Sequence, residues 1–311
     1  MAGVSRFLTF NAYRRDIEAA RARIATGSRV VETPLGPVEY ADVGRGPPVL
    51  MSHGAGGGFD QSVEVGRLLI DEGFRLIAPS RFGYLRTPLP ADASPSAQAD
   101  AHACLLDALG LDRVAVVGAS LGAPSVVQLC VRHPERCSSM VLVVPVLYSP
   151  QGAARFLRRS LAMVRRMPHM ALSSDFLFWL ATHVGGSVIL ESLIGVPRDE
   201  LRNAPRAERE RIRHMLNLAL PMSARATGLK NDVSTDLPRD ELERIDTPAL
   251  IVGVATDLYG TLDIARYTSE QISGARLLSY PNGGHLWVGY HENMLGEIAA
   301  FMKSNQGGRQ N

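Results

Sequence analysis

Cysteine is scarce: Cys104, Cys130 and Cys137 are the three in 311 residues. An odd number with no C-x-x-C pair excludes a disulfide framework, a zinc ribbon and a thioredoxin-like redox pair. Two of them lie in apolar, helix-like stretches, which reads as buried free thiols and points to a reducing, cytoplasmic location. No apolar run approaches the roughly 20 residues of a membrane helix. The short N-terminal apolar stretch is broken by Arg6 and lacks the long apolar region and cleavage site of a signal peptide. Charge of one sign is also missing. With 33 basic and 31 acidic residues the formal net charge is +2, which gives no general pull toward nucleic acid. No histidine and carboxylate cluster has metal-ligand spacing, so no metal is expected. Internal repeats and low-complexity runs are absent too.

What is present is a balanced globular composition, 46% hydrophobic and 21% charged, in a chain long enough for one large α/β domain or a core plus a smaller unit. A leading helix carries Arg14, Arg15, Arg21 and Arg23 interleaved with Asp16 and Glu18. It reads as a solvated helix packed on the domain, with a peripheral membrane or partner contact as the other reading. Arg29–Thr33 and Val38–Asp42 predict two short strands joined at Leu35-Gly36-Pro37, hence an antiparallel hairpin. Further strands are expected at Val49–Ser52, Arg75–Ala78, Arg113–Gly118, Met140–Pro145, Ala249–Val254 and Arg276–Tyr280. Helical stretches fall between them, at Asp60–Glu72, Pro95–Leu109, Leu121–Arg132, Leu262–Ile272 and Glu292–Lys303. Apolar residues at successive positions, as in the fifth strand, suit parallel strands covered on both faces. The alternation predicts a mostly parallel eight-stranded sheet with helices on both faces. From about Leu147 to Arg244 no strand is readable, only amphipathic helical segments, so a helical cap inserted after the sixth strand is expected. The resulting division is a core of 1–146 and 245–311 with a cap of 147–244.

Gly118-Ala119-Ser120-Leu121-Gly122 is a G-x-S-x-G pattern set between an apolar strand and a helix. Such a sharp turn lifts a serine onto strained backbone at the top of the sheet, and crowding of the flanking positions calls for glycine there. Pro124 falls in the first helical turn, where its missing N–H costs nothing. A serine hydroxyl needs a base to attack a carbonyl. His285, in the loop Asn282-Gly283-Gly284-His285 after the last strand, is the best placed of eight histidines; His291, opening the final helix, is the runner-up. His102 and His133 read as structural or exposed. The base in turn needs a carboxylate. Asp257, at the carboxyl end of the seventh strand, is preferred to Asp263, which belongs to the next helix, where an acid near the N-terminus needs no catalytic explanation. An oxyanion requires N–H donors. One is expected from Leu121, at the start of the helix, and another from the loop His53-Gly54-Ala55-Gly56-Gly57-Gly58. That loop lacks the Lys-Ser/Thr of a P-loop and the G-x-G-x-x-G fingerprint, so no nucleotide cofactor is expected. His53 reads as a structural hydrogen-bonding residue.

In the order SHGAGGG, APSRFGY, GASLGAPS, VATD, NGGH, these segments resemble the α/β-hydrolase superfamily over nearly the whole chain beyond the first helix. The resemblance implies an eight-stranded core with a cap after the sixth strand, and a serine hydrolase of the esterase-like branch. It assigns the second oxyanion amide to Ala55, with Gly56 as the fallback, and gives the RFGY segment a structural role. Serine at the elbow argues against haloalkane dehalogenases and epoxide hydrolases, which carry aspartate. Hydrolysis of a small or medium carboxylic ester is the leading expectation. Carbon–carbon hydrolysis of ring-cleavage products is the alternative, disfavoured by Leu121 and the all-glycine loop. A ligand receptor without efficient turnover is the third reading. One finer expectation concerns the cap: Arg155, Arg158, Arg159, Arg165 and Arg166 lie in one helical stretch. It reads as an amphipathic lid, or as the source of an arginine that turns inward to hold a free carboxylate, as in a half-ester of a dicarboxylic acid.

Overall fold

The computed structural model describes residues 2–151, 155–184, 191–237, 239 and 241–306. Its sheet has eight strands: β1 (Arg29–Thr33), β2 (Gly36–Gly44), β3 (Pro48–Ser52), β4 (Arg75–Pro79), β5 (Val114–Ala119), β6 (Cys137–Val143), β7 (Ala249–Val254) and β8 (Arg276–Tyr280). Their order is β1-β2-β4-β3-β5-β6-β7-β8. β1 and β2 pair antiparallel, as do β2 and β4, and the remaining pairs are parallel. The continuous apolar runs have a simple cause. Successive strand side chains point to opposite faces. Met51, Val117, Val141 and Val252 therefore pack in one core, under the helices Phe59–Val65, Arg67–Asp71 and His291–Ser304. Their neighbours Leu50, Val116, Leu142 and Ile251 pack in another, under Pro95–Ala108, Ala123–Arg132 and Thr261–Gln271. Cys130 and Cys137 are buried free thiols in the second core, and burial pushes the Cys130 thiol up.

Several boundaries differ from the sequence expectation. The hairpin turns at Pro34-Leu35, since Gly36 already pairs with Thr33 at φ 105°, a left-handed conformation that glycine accepts. The expected helix 60–72 is two helices broken at Gly66, where a side chain would come within 2.8 Å of Leu76 on β4. β6 starts and ends earlier than expected, and Val144 leaves the strand at φ 42°.

Between β6 and β7 the described residues form no strand. They form helices at Arg155–Arg166, His169–Leu172, Asp175–Val184, Arg198–Asn203, Arg206–Leu218 and Ala226–Ser234. This is the helical cap. The leading helix Ala2–Thr26 packs on the cap: Ile17 and Ala20 cluster with Trp179 and Leu220, and Trp179 Nε1 donates to Asp16 at 2.9 Å. The cap is anchored to the core by buried ion pairs. Arg225, fully buried, donates to Asp60 Oδ2 at 2.7 Å and to the Gly57 carbonyl at 2.5 Å. Arg23 of the leading helix reaches the same Asp60 oxygen at 2.8 Å.

Candidate active site

Strand order puts the site where it is. β3 lies between β4 and β5, so the chain leaves β3 in one direction across the sheet and returns to its other side. Loops after such strands open a crevice at the carboxyl edge. Ser52 at the end of β3 is in register with Gly118 near the end of β5. The glycine loop after β3 and the turn after β5 are therefore neighbours, and a side chain at Gly54 would lie 3.3 Å from Ser120 Cβ.

Ser120 sits at φ 50°, in the left-handed region that a non-glycine residue seldom occupies. The flanking glycines are needed, but for closer reasons than mutual crowding. A Cβ on Gly118 would approach Ala123 Cα to 2.8 Å, at the start of the following helix. One on Gly122 would approach the Ser52 and His53 carbonyl oxygens to 2.4 and 2.5 Å. Each glycine lets a separate piece of backbone close on the turn. Helix Ala123–Arg132 is preceded by a single tight turn, Ser120–Gly122, rather than starting at Leu121 as expected.

The structure brings Ser120, His285 and Asp257 into one line. His285 Nε2 lies 2.9 Å from Ser120 Oγ, and His285 Nδ1 lies 2.7 Å from Asp257 Oδ2. A carboxylate can only accept, so Nδ1 carries the proton and Nε2 is left to accept from the serine. Asp257 is buried, and its other contacts are donors as well: the Tyr259 N–H at 2.8 Å to Oδ1 and the Thr261 hydroxyl to Oδ2. Asp263 is an exposed side chain in the first turn of helix Thr261–Gln271, facing Arg266. His291 accepts the Trp287 indole N–H at 3.1 Å through Nδ1, and burial with Arg211 nearby brings its pKa down to about 4. Neither is bonded to the serine–histidine pair.

The loop bearing His285 is shaped by glycine and by the cap. Gly283 and Gly284 adopt φ 114° and 58°. The Gly195 carbonyl of the cap accepts both the His285 N–H and the Leu258 N–H, each at 3.1 Å. Gly195 itself is at φ 61°, and a side chain there would lie 2.9 Å from His285 Cβ. Tyr259 meets the His285 ring edge-on at a centroid distance of 4.7 Å. Burial, with Asp257 beside it, holds the Tyr259 phenol protonated, and its O–H donates to the Ser192 carbonyl.

Ala55, Gly56 and Leu121 all border the cavity that contains Ser120. The Gly56 N–H is already committed, donating to Tyr84 Oη at 3.2 Å, which leaves Ala55 as the expected second donor beside Leu121. His53 is a neutral structural residue. Its Nδ1–H donates to Gly54 O at 2.8 Å and its Nε2 accepts the Arg81 N–H at 3.0 Å. Burial first and the Arg81 charge second press its pKa well below the usual histidine range. His102 is likewise buried, with a pKa lowered to about 3, and its Nε2 lies 3.3 Å from Ser125 Oγ. His133 sits at the surface against Asp100.

The RFGY segment does more than turn the chain. Arg81 grips the cap residue Asp232 through both carboxylate oxygens, at 2.7 and 2.6 Å, and donates to His53 O at 2.9 Å. Tyr84 donates to Asp232 at 2.6 Å while accepting from Gly56. Asp232, Tyr84, Gly195 and Arg225 were not among the residues singled out from sequence. Three lie in the cap, whose helical periodicity says nothing of which polar side chain meets the core. Tyr84 belongs to the RFGY segment, where a tyrosine beside a glycine turn is its one sequence signal.

The cavity over Ser120 holds about 240 Å³ and is walled by Val65, Leu157, Leu161, Leu193, Met222 and Tyr259 among others. No Asp, Glu, Lys or Arg among the described residues lines it. Of the two readings of the cap arginines, this agrees with the amphipathic lid and corrects the inward-turned arginine. Arg155, Arg158, Arg159, Arg165 and Arg166 are all exposed, while Leu157, Leu161 and Val164 of the same helix face the cavity. A guanidinium turned into that apolar wall would lose its hydration with no acid to replace it. The half-ester reading loses its basis with it. No group of three or more metal-ligating side chains occurs among the described residues, and no described helix is long and apolar enough to cross a membrane.

Comparison with known proteins agrees with this geometry at the level of fold and family. The sequence profile of the alpha/beta hydrolase fold family matches residues 47–291. The chain belongs to that family. A putative carbamate hydrolase of Klebsiella pneumoniae (strain 342) is 29% identical over 77% of this chain and 84% of its own length. The 2-hydroxy-6-oxo-6-phenylhexa-2,4-dienoate hydrolase of Comamonas testosteroni is 29% identical over 35% of this chain and 40% of its own length. Among solved structures, an alpha/beta hydrolase fold protein from Nakamurella multipartita superposes with a TM-score of 0.66 at 29% identity, over 89% of this chain and 99% of that one. The matched stretches span 37% to 62% of the length of several curated relatives.

Proposed function

We propose that this protein is a serine hydrolase that cleaves small or medium, uncharged carboxylic esters. Residues 1–146 and 245–311 form its core and 147–244 the cap. Ser120 attacks the ester carbonyl while His285 takes its proton. Asp257 holds the imidazole tautomer and stabilises the imidazolium. The N–H groups of Leu121 and Ala55 receive the oxyanion. His285 then protonates the leaving alcohol, and water cleaves the acyl-enzyme by the reverse route. The observation that carries the reading is the continuous hydrogen-bonded line from Ser120 through His285 to Asp257, opening into a cavity that no Asp, Glu, Lys or Arg among the described residues lines. The purified protein is expected to hydrolyse a chromogenic butyryl ester. Ser120→Ala should reduce kcat by on the order of 10⁴-fold or more without unfolding the protein. An organophosphate adduct should map to Ser120; labelling of another serine would refute the assignment.

Carbon–carbon hydrolysis is the second reading, and the similarity to the Comamonas dienoate hydrolase favours it. A dienoate carries a carboxylate, however, and the described cavity wall offers no cation to receive one. Side-by-side kcat/KM for a neutral ester and a ring-fission dienoate separates the two. Faster turnover of the dienoate would replace the ester reading.

A further inference from the structure

Residues 151–174 contain five arginines and neither aspartate nor glutamate. All five lie on helix Arg155–Arg166 and all are exposed. Among the described residues, no carboxylate pairs with Arg155, Arg158, Arg159, Arg165 or Arg166, whereas Arg23, Arg75, Arg81, Arg132 and Arg225 each hold one within 2.8 Å. Charge is lopsided over the whole molecule as well. The first 26 residues and residues 147–244 together carry a formal +7 in a chain whose total is +2, leaving −5 on the rest. The near-neutral composition therefore hides a basic cap and leading helix on an acidic remainder.

Large apolar side chains stand out on the same elements. Met163 is 50% exposed, Met170 86%, Leu177 50% and Phe10 53%. Phe10, Tyr13 and Phe176 form a chain of ring contacts joining the leading helix to the cap. Met163 also lines the cavity over Ser120, so the cavity reaches the surface beside the arginine helix. Arg159 and Arg166 lie four residues before and three after Met163, positions that neighbour it on a helix.

We propose that this face of the cap docks on an anionic lipid surface. The arginines would meet the headgroups, and Met163, Met170, Leu177 and Phe10 would enter the headgroup–acyl boundary. Charge complementarity selects an anionic partner. Met163 stands among the guanidiniums, and Met170, Leu177 and Phe10 are exposed on two further cap helices and the leading helix; such apolar side chains select a bilayer over a purely polar polyanion, which would leave them in water. The docked cap would hold the mouth at Met163 against the lipid, without a membrane-spanning segment.

The test is sedimentation of the full chain with phosphatidylcholine vesicles, with and without phosphatidylglycerol, across a salt series. Binding is expected to the phosphatidylglycerol vesicles and to weaken with salt. Arg158→Glu/Arg165→Glu should lower the partition coefficient by roughly tenfold or more. Met170→Ser should lower it severalfold, and both variants should keep wild-type turnover of a soluble short-chain ester, which certifies the fold. Equal sedimentation with both vesicle compositions would overturn the proposal. So would competition by soluble polyphosphate combined with no effect of Met170→Ser, which would make the face a polyanion site.

Discussion

Tyr84 Oη donates to Asp232 of the cap at 2.6 Å and accepts the N–H of Gly56 in the glycine loop at 3.2 Å. One phenol thus joins the cap to the loop that flanks Ser120. The hydroxyl is buried between Asp232 and Arg81, and burial first, then Asp232, pushes its pKa well above the ordinary range, so it stays a donor. Tyr84→Phe keeps the ring and leaves Asp232 paired with Arg81. It frees the Gly56 N–H and loosens the loop. The expected result is a fall in kcat of roughly tenfold with little change in KM, since the loop acts on the developing oxyanion more than on the bound ester. Unaltered steady-state constants would show that the loop holds itself.

Asp257→Asn replaces an acceptor-only carboxylate with an amide that favours the other histidine tautomer. A drop in kcat of about 10⁴-fold is expected, with the fold retained. Asp263→Asn, at an exposed side chain, should leave turnover within about twofold, as surface ion pairs contribute little. Steady-state kinetics on both variants decide the assignment; loss of activity in the Asp263 variant alone would reverse it.

Gly195 and Gly289 are both at positive φ, 61° and 85°, but differ in surroundings. A side chain at Gly195 meets His285 and Tyr259 at 2.9 Å, whereas one at Gly289 meets nothing within 4 Å. Both alanine variants should be strained and less stable. Only Gly195→Ala should displace the imidazole, lowering kcat by tenfold or more. Equal activity losses in the two variants would assign the effect to backbone strain alone.

Stability should fall on acidification before most carboxylates titrate. His102 and His291 have pKa values lowered from 6.5 to about 3 and about 4 by burial. The unfolded chain therefore takes up these protons first. Their contribution is fully present above pH 6.5 and is lost as pH falls toward those lower values. Thermal melts are expected to show Tm declining between about pH 6.5 and pH 5. His291→Asn, which keeps an acceptor for the Trp287 indole, should flatten part of that slope. A Tm constant over the window would contradict the burial argument.

Much of this protein was legible in the sequence because its signals are local. A run such as Val114–Val117 is apolar at every position because a parallel strand is covered on both faces, and this alone marks the centre of the sheet. Gly118-x-Ser120-x-Gly122 is legible because backbone can close on both sides of the turn only where no side chain intervenes. Asp257 and His285 each follow a strand at its carboxyl end, so their chain positions already placed them at one edge. What tertiary structure alone decided lies in the cap. Helical periodicity sorted Leu157 and Leu161 from the arginines between them, but could not say whether a guanidinium reached the cavity. Packing turned every one of the five outward. Nor could spacing reveal that Asp232 answers Arg81 and Tyr84, or that Arg225 answers Asp60, partners 151, 148 and 165 residues apart. Such pairs follow from how a helical layer settles on a sheet. Buried charges require partners wherever the fold brings them, and no local pattern in the chain encodes that meeting.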